Sequence, residues 1–420
     1  MAHRHGAVPA RPRRSLPGGV RALSSGGCEV AVVGAGIVGC AAAYELARRG
    51  VSVRLLEREA ELSVGTTGLG EGNVLCCDKE PGPELGLALH GLALYDEIEE
   101  LLGAEAGIRR KGALVAHADA AGWDAERARV AGLRAAGVEC ELLAPEEVRA
   151  AEPELRGALL GASWFPRDLQ CAPQAIARGL ARAAAGLGAE LVTGCEVAAI
   201  AVKGGRVGGV ELAGHAGRLA ADRVLIAAGT WSAPLAARAG LELPLEPRKG
   251  QLVRLERRPG FMRHKVIDGA YMASVASADA GLQVSTVMET TLDGHVLVGS
   301  SRERRGFDLS VDPAVSELLI ERAARLAPGV AALERQDAWT GLRPWLPGGL
   351  PALGPSAAAE GLFLATGHEG AGVAHGPFSG RLVAQSICGE EPELDLAPFD
   401  PDRFGAASAA GASNVPEYPL

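Results

Sequence analysis

Apolar and polar residues recur along this chain with changing periods. Val30-Ala-Val-Val33 is a short apolar run rich in β-branched residues, the pattern of a strand buried in a parallel sheet. A glycine-bearing turn follows, then helical spacing from Ile37 to about Arg49, then a second apolar run that closes on Glu57. From Pro83 to Leu102 leucines return at helical spacing among Glu and Asp residues. A short strand at Gly112 to Ala118 precedes charged helices at Ala120 to Ala136 and Pro145 to Ala151. An alanine-rich helix at Pro173 to Leu187 leads to strands near Ala189-Val192, Glu196-Val202 and Arg206-Leu212. Gly204-Gly205 and Gly214 space them as in a β-meander.

Asp222-Arg-Val-Leu-Ile-Ala-Ala-Gly-Thr-Trp-Ser232 then restores the opening pattern of buried strand, glycine turn and helix, so this segment is expected to rejoin the first sheet. Between Pro247 and about Ser300 the chain reads as strands, with Gly281 to Met288 and His295 to Val298 in an antiparallel sheet. Asp312 to Leu326 is an amphipathic helix with Asp312 as N-cap and proline in its first turn. A last strand at Leu362 to Ala365 runs through a glycine-rich turn into a helix ending near Cys388. The chain is therefore α/β, with α+β character over two domains. One domain is discontinuous, at 28–110, 172–245 and 335–404; the other is built from 111–171 and 246–334.

The first turn carries chemistry. Gly34, Gly36 and Gly39 have the spacing at which the first permits a tight turn, the second lets backbone approach a pyrophosphate, and the third brings helix onto strand. The helix N-terminus at Ile37 and Val38 then presents N–H groups to phosphate. Glu57 ends the second strand, where a carboxylate takes the hydroxyls of an adenosine ribose and repels a 2′-phosphate. FAD or NAD fits; NADP does not. Ser63 to Leu75 is a polar loop at the carboxyl edge of the same sheet. Thr66 and Thr67 are placed to bond the pyrophosphate, and the backbone from Gly72 through Asn73 to Val74 to approach a flat ring.

Composition narrows the partners. A net charge of −9 gives no reason to expect nucleic acid or an anionic membrane. No apolar run approaches the ~20 residues of a transmembrane helix. Eight cysteines without a CxxC pair suggest neither zinc nor a disulfide framework, and read as reduced thiols of a cytoplasmic protein. Residues 1–27, rich in Arg and Pro with a twin-arginine pair at Arg13-Arg14, lack a signal peptide's apolar core and read as a disordered arm. Residues 405–420 read as a flexible tail.

Five segments in order carry a resemblance: the GAGIVG turn with Glu57, the GTTGLGEGN loop, AAGTWS, GLRPWLPGGLPALGP and TGHEGAGVAHGPFSG. Over about residues 28 to 404 the chain resembles the flavoprotein amine oxidases of the D-amino-acid oxidase fold. Asp78-Lys-Glu-Pro-Gly-Pro-Glu84, Pro247-Arg-Lys-Gly-Gln251 and Thr366-Gly-His-Glu369 look nearest to the opine oxidase, hydroxyproline dehydrogenase and hydrogen cyanide synthase flavin subunits. The resemblance implies a Rossmann-type FAD-binding domain with an inserted antiparallel-sheet substrate domain. It also implies FAD and hydride transfer to flavin N5 from the carbon beside an amine nitrogen, giving an imine that hydrolyses; no cysteine matches the one that carries covalent flavin in monomeric sarcosine oxidase, so the FAD is expected to be non-covalent, and no metal is expected.

Residue by residue, Arg343 matches the arginine that binds the substrate carboxylate, a task suited to a planar, permanently charged fork. An arginine of a structural ion pair is the plain alternative. His368 and Glu369 are candidates to meet the substrate amine or the flavin edge, or His368 simply closes a hydrogen-bond network. Gly370, Ala371, Gly372 and Val373 match backbone facing the flavin's pyrimidine end, with Gly341 beside them. Val197 matches the adenine clamp; Ala228 and Gly229 line the pyrophosphate's path, and Arg58 and Trp231 complete the cofactor set. Trp345 walls the pocket or packs in a core. Three readings remain: an oxidase of a small amino acid using O2, a flavin subunit passing electrons to a redox partner in a homo- or hetero-oligomer, and a flavoprotein without turnover.

Overall fold

The structure is a computed structural model and describes residues 26–214, 217–272 and 277–405. The disordered arm expected at 1–27 and the tail at 405–420 fall outside it, apart from their innermost residues.

The first apolar runs stack into a six-stranded sheet. Its order is Ala352–Pro355, Leu362–Thr366, Ala221–Ile226, Cys28–Val33, Val53–Leu56 and Glu190–Val192, parallel except for the first pair. Alternation along Cys28–Val33 serves two cores. Val30 and Val32 pack toward the helices, while Ala31 and Val33 pack toward a three-stranded sheet of Val197–Lys203, Arg206–Leu212 and Arg218–Leu219. All-round burial explains the composition of helix Ile37–Ala47, whose Cys40, Ala41, Ala42, Ala43 and Leu46 are buried. It lies against helix Gly372–Cys388 at a point where a Cβ on Gly380 would come 2.7 Å from Ala42 N. Small residues are what permit that crossing.

The segment near Ala189 does not extend the meander. Glu190–Val192 pairs in parallel with Val53–Leu56, because its apolar side chains complete the edge of the first sheet, and the meander begins at Val197.

The second sheet has eight strands, in the order Arg335–Trp345, Glu246–Arg257, His295–Arg302, Gln283–Thr290, Lys265–Asp268, Ala113–His117, Gly161–Phe165 and Glu141–Leu143. It is antiparallel with one exception: Lys265–Asp268 runs parallel to Ala113–His117. A long stretch of chain separates that pair, so no hairpin turn dictates its direction. Helix Pro313–Leu326, capped by Asp312 Oδ1 accepting from Ala314 N at 2.8 Å, covers one face of this sheet with Val315 and Leu319. Strand Arg335–Trp345, grouped by its position in the sequence with the nucleotide-binding segments, hydrogen-bonds along Glu246–Arg257 and so contributes to the second sheet.

Gly39 tests the tight turn. A Cβ there would lie 1.9 Å from Gly34 O, whereas one at Gly186, at the end of helix Pro173–Gly186, meets nothing within 4 Å. Gly39→Val is expected to cost about 1–3 kcal/mol or more by overpacking, and Gly186→Ala to be neutral or slightly stabilising. Denaturant unfolding of both variants checks the contrast.

Candidate functional site

A single cavity of about 2320 Å³ opens between the carboxyl edge of the first sheet and the uncovered face of the second. That exceeds the roughly 300–1,000 Å³ of a drug-sized ligand's site and suits a dinucleotide plus a small molecule.

At one end lies the glycine turn. Gly34 has φ +103, and a Cβ there would lie 2.6 Å from Ala227 O, so only glycine fits. Gly36 precedes the helix, with Ile37 N donating to Thr67 Oγ1 at 3.1 Å. Gly36, Ile37, Val38, Thr66 and Thr67 all line the cavity; Gly39 lies behind them as the packing glycine. Glu57 Oε2 accepts from Ala35 N at 2.8 Å and its Oε1 from Glu59 N at 3.1 Å, which fixes the carboxylate at the cavity wall. Arg58 stacks over Trp231 with its guanidinium carbon 3.9 Å from the ring centroid, and Val197, Ala228 and Gly229 continue the lining. Glycines where a Cβ would collide, a helix N-terminus and a fixed carboxylate are what an adenine dinucleotide needs.

The loop after Glu57 divides its duties. Thr66 and Thr67 open a short helix, Thr66–Leu69, and Thr66 Oγ1 donates to Leu342 O at 2.6 Å. Gly72 has φ +85, and a Cβ there would come 2.4 Å from Cys171 O. Asn73 lines the cavity and donates to Glu289 Oε1 at 3.1 Å, whereas the Val74 side chain is buried in the core. Cys76 and Cys77, adjacent in sequence to this loop, are buried, and their N–H groups donate to Asp168 at 2.9 and 3.1 Å. Burial pushes both thiols up, away from reactivity. The cysteine among the cavity-lining residues is Cys195, at the adenosine end.

At the other end, Gly341 and Arg343 project from Arg335–Trp345, and Gly370, Ala371, Gly372 and Val373 form the turn entering helix Gly372–Cys388. Arg343 sits over Gly250, where a Cβ would come 2.1 Å from its Nη1, and that Nη1 donates to Ser301 O at 3.0 Å. Burial lowers the Arg343 pKa, with Glu369 opposing. Glu369 is a non-glycine residue at φ +46, and its Oε2 accepts from Gly370 N. Its Oε1 lies 3.6 Å from Arg248 Nη1, 3.7 Å from Arg302 Nε and 3.9 Å from Arg343 Nε. Burial raises the Glu369 carboxyl, but Arg302, Arg343 and Arg248 together outweigh it and hold it below the usual range. His368 is buried, with Nε2 3.0 Å from Ser379 Oγ, and burial brings it down to about 4.

Sequence reasoning singled out Arg343 and Glu369 but passed over Arg248, Arg302 and Tyr271, whose ring stacks 4.4 Å from the Arg302 guanidinium. Arg248 stands in register opposite Arg343, a juxtaposition that needs the strand pairing and not the sequence alone.

Residues 29–386 match the family model described as DAO, FAD dependent oxidoreductase. Glycine oxidase from Geobacillus kaustophilus (strain HTA426) is 31% identical over 88% of this chain and 96% of its own length. Hydrogen cyanide synthase subunit HcnC of Pseudomonas aeruginosa is 30% identical over 91% of this chain and 98% of its own. The crystal structure of the Geobacillus kaustophilus glycine oxidase superposes with a TM-score of 0.80, covering 90% of this chain and 99% of that one. Iminodiacetate oxidase from Chelativorans sp. BNC1, 28% identical, superposes at 0.77 over 89% and 99%. The chain belongs to this family of FAD-dependent oxidoreductases.

Two outcomes check the site. Glu57→Gln keeps an acceptor for Ala35 N but loses the charge, so FAD is expected to bind roughly tenfold more weakly in a fluorescence titration. The His368 ring is expected to stay neutral down to about pH 5 by NMR. Because its folded pKa lies below its unfolded value, the ring's contribution to stability is fully present above about pH 6.5 and is lost as pH falls toward 4.

Proposed function

We propose that this FAD-dependent oxidoreductase oxidises the C–N bond of an amine bearing a carboxylate, such as an amino, imino or opine-type acid. The observation that supports this most directly is Arg343, a half-buried guanidinium on the sheet face that shares one cavity with the nucleotide turn. FAD, when bound, supplies the two-electron acceptor.

The chain's own residues bind and orient. Arg343, held by Ser301 O, receives the substrate carboxylate through a charge-assisted fork. Glu369, kept ionised by its arginines, accepts an N–H of the amine and turns the adjacent C–H toward the Gly370–Val373 turn. His368 positions that turn through Ser379 rather than carrying a proton, since its ring is neutral at working pH. The amine reacts in its neutral form, its ammonium proton given up to water beforehand, so no base is required on the reacting carbon; loss of hydride leaves an iminium, which gives its N–H proton to water and hydrolyses as the imine.

The relative that is a hydrogen cyanide synthase subunit favours, as second reading, a chain that hands its electrons to a partner protein instead of to O2. A cytoplasmic placement belongs to the same proposal, supported by eight free cysteines. No helix among the described residues is long and apolar enough to cross a membrane.

Anaerobic mixing of the flavin-loaded protein with a panel of amino and imino acids, followed by air, tests the proposal. Bleaching of the band near ~450 nm is expected with at least one acid and not with its decarboxylated amine. Recovery in air marks an oxidase; persistence marks dependence on a partner. No bleaching with any amine contradicts the proposal. Arg343→Met is expected to lower the rate constant for reduction at limiting substrate by at least ~30-fold while FAD stays bound, and Arg343→Lys by less.

A further inference from the structure

Beside Glu369 the substrate end of the cavity gathers more positive charge than one carboxylate uses. Arg248, Arg302 and Arg343 come from three neighbouring strands, and all three approach a single oxygen, Glu369 Oε1. None is within 3.5 Å, and among the described residues that oxygen makes no hydrogen bond. Arg302 is 1% exposed; its Nη1 donates to Ser285 Oγ at 3.3 Å, and among the described residues its Nε and Nη2 have no hydrogen-bond partner. Leaving such donors unpaired is costly, so native structures seldom do it without a ligand or solvent to complete them. Arg248 and Arg343 are directly opposed across two antiparallel strands, where like charges repel. Arg343 lines the cavity, and strand alternation turns the buried Arg248 and Arg302 toward it: Gly250 lines it two residues from Arg248, and Ser300 and Arg304 line it on either side of Arg302. Other charges nearby are already matched, Arg304 with Glu246 at 3.4 Å and Lys265 with Glu71. In a chain of net charge −9, three guanidinium groups around one carboxylate oxygen are a local inversion of sign.

We infer that the substrate amine carries two carboxylates, one held by Arg343 and the other taking the position of Glu369 Oε1 between Arg302 and Arg248. The inference rests on the proposed oxidation of a carboxylate-bearing amine and names its substrate class: an N-(carboxyalkyl) amino acid or an amino dicarboxylate. Glu369, whose backbone sits at φ +46 between Gly367 and Gly370, then turns from the arginines to the amine nitrogen.

The test separates binding from chemistry. Glutarate and butyrate, which have no oxidisable amine, are titrated calorimetrically into the flavin-loaded protein. Glutarate is expected to bind at least tenfold more tightly, and the gap to close to within about threefold in Arg302→Met with butyrate affinity and flavin content unchanged. Should Arg302→Met not fold, Glu369→Gln serves instead: removing the competing carboxylate is expected to tighten glutarate more than butyrate. Equal affinities for the two acids, or a preference untouched in the folded variants, overturns the inference. Iminodiacetate and sarcosine, which differ by one carboxylate, are then compared as anaerobic reductants of the flavin. Faster reduction by iminodiacetate supports the inference. If sarcosine reduces the flavin as well and glutarate shows no preference, the inference falls and the oxidation proposal stands. If neither these nor any other amine reduces it while glutarate is preferred, the oxidation proposal falls and the dianion site stands.

Discussion

Two adjacent threonines set the relation between the two halves of the cavity. Thr67 Oγ1 accepts from Ile37 N at the glycine turn, and Thr66 Oγ1 donates to Leu342 O in the strand that carries Arg343. Trp339 Nε1, donating to Leu69 O at 2.9 Å, makes a second tie from the same short helix. Each hydrogen bond is modest by itself, about 1 kcal/mol. Together they register the nucleotide end against the substrate end to within a hydrogen bond's tolerance, which is what hydride transfer between two bound molecules requires.

Electrostatics follows from that frame. Burying several guanidinium groups is unfavourable unless anions accompany them. Glu369 meets part of that need and remains ionised because of it. His368 adds nothing to the charge, since burial keeps its ring neutral, and its bond to Ser379 ties the turn to helix Gly372–Cys388. The pocket is therefore poised for anionic ligands, although the chain as a whole is acidic.

The nucleotide end was legible in the sequence because its requirements are local. Gly34, Gly36, Gly39 and Glu57 answer to a turn, a helix start and a strand end within one short segment, and the structure puts each where that logic expects. The strand at Glu190–Val192 was not legible as part of the first sheet, since a short amphipathic run fits either a meander or a parallel edge until its neighbour is known. Val74, whose backbone is expected beside a ring, has its side chain in the core. Arg248 and Arg302 lie far apart in sequence from Arg343 and meet it only through cross-strand register, so residue type gave no reason to join them. The motif containing Arg248 was visible; its partner was not.

In the proposed binding mode the carboxylate of an amine acid lies on Arg343 with its reacting carbon against the Gly370–Val373 turn. The most direct measurement is a crystal structure of the flavin-loaded protein with an unreactive carboxylate analogue of an amino acid. The prediction is that the analogue's carboxylate is bonded to Arg343 and the flavin ring lies along Gly370–Val373. An analogue bound elsewhere in the cavity, with no contact between its carboxylate and Arg343, would contradict it.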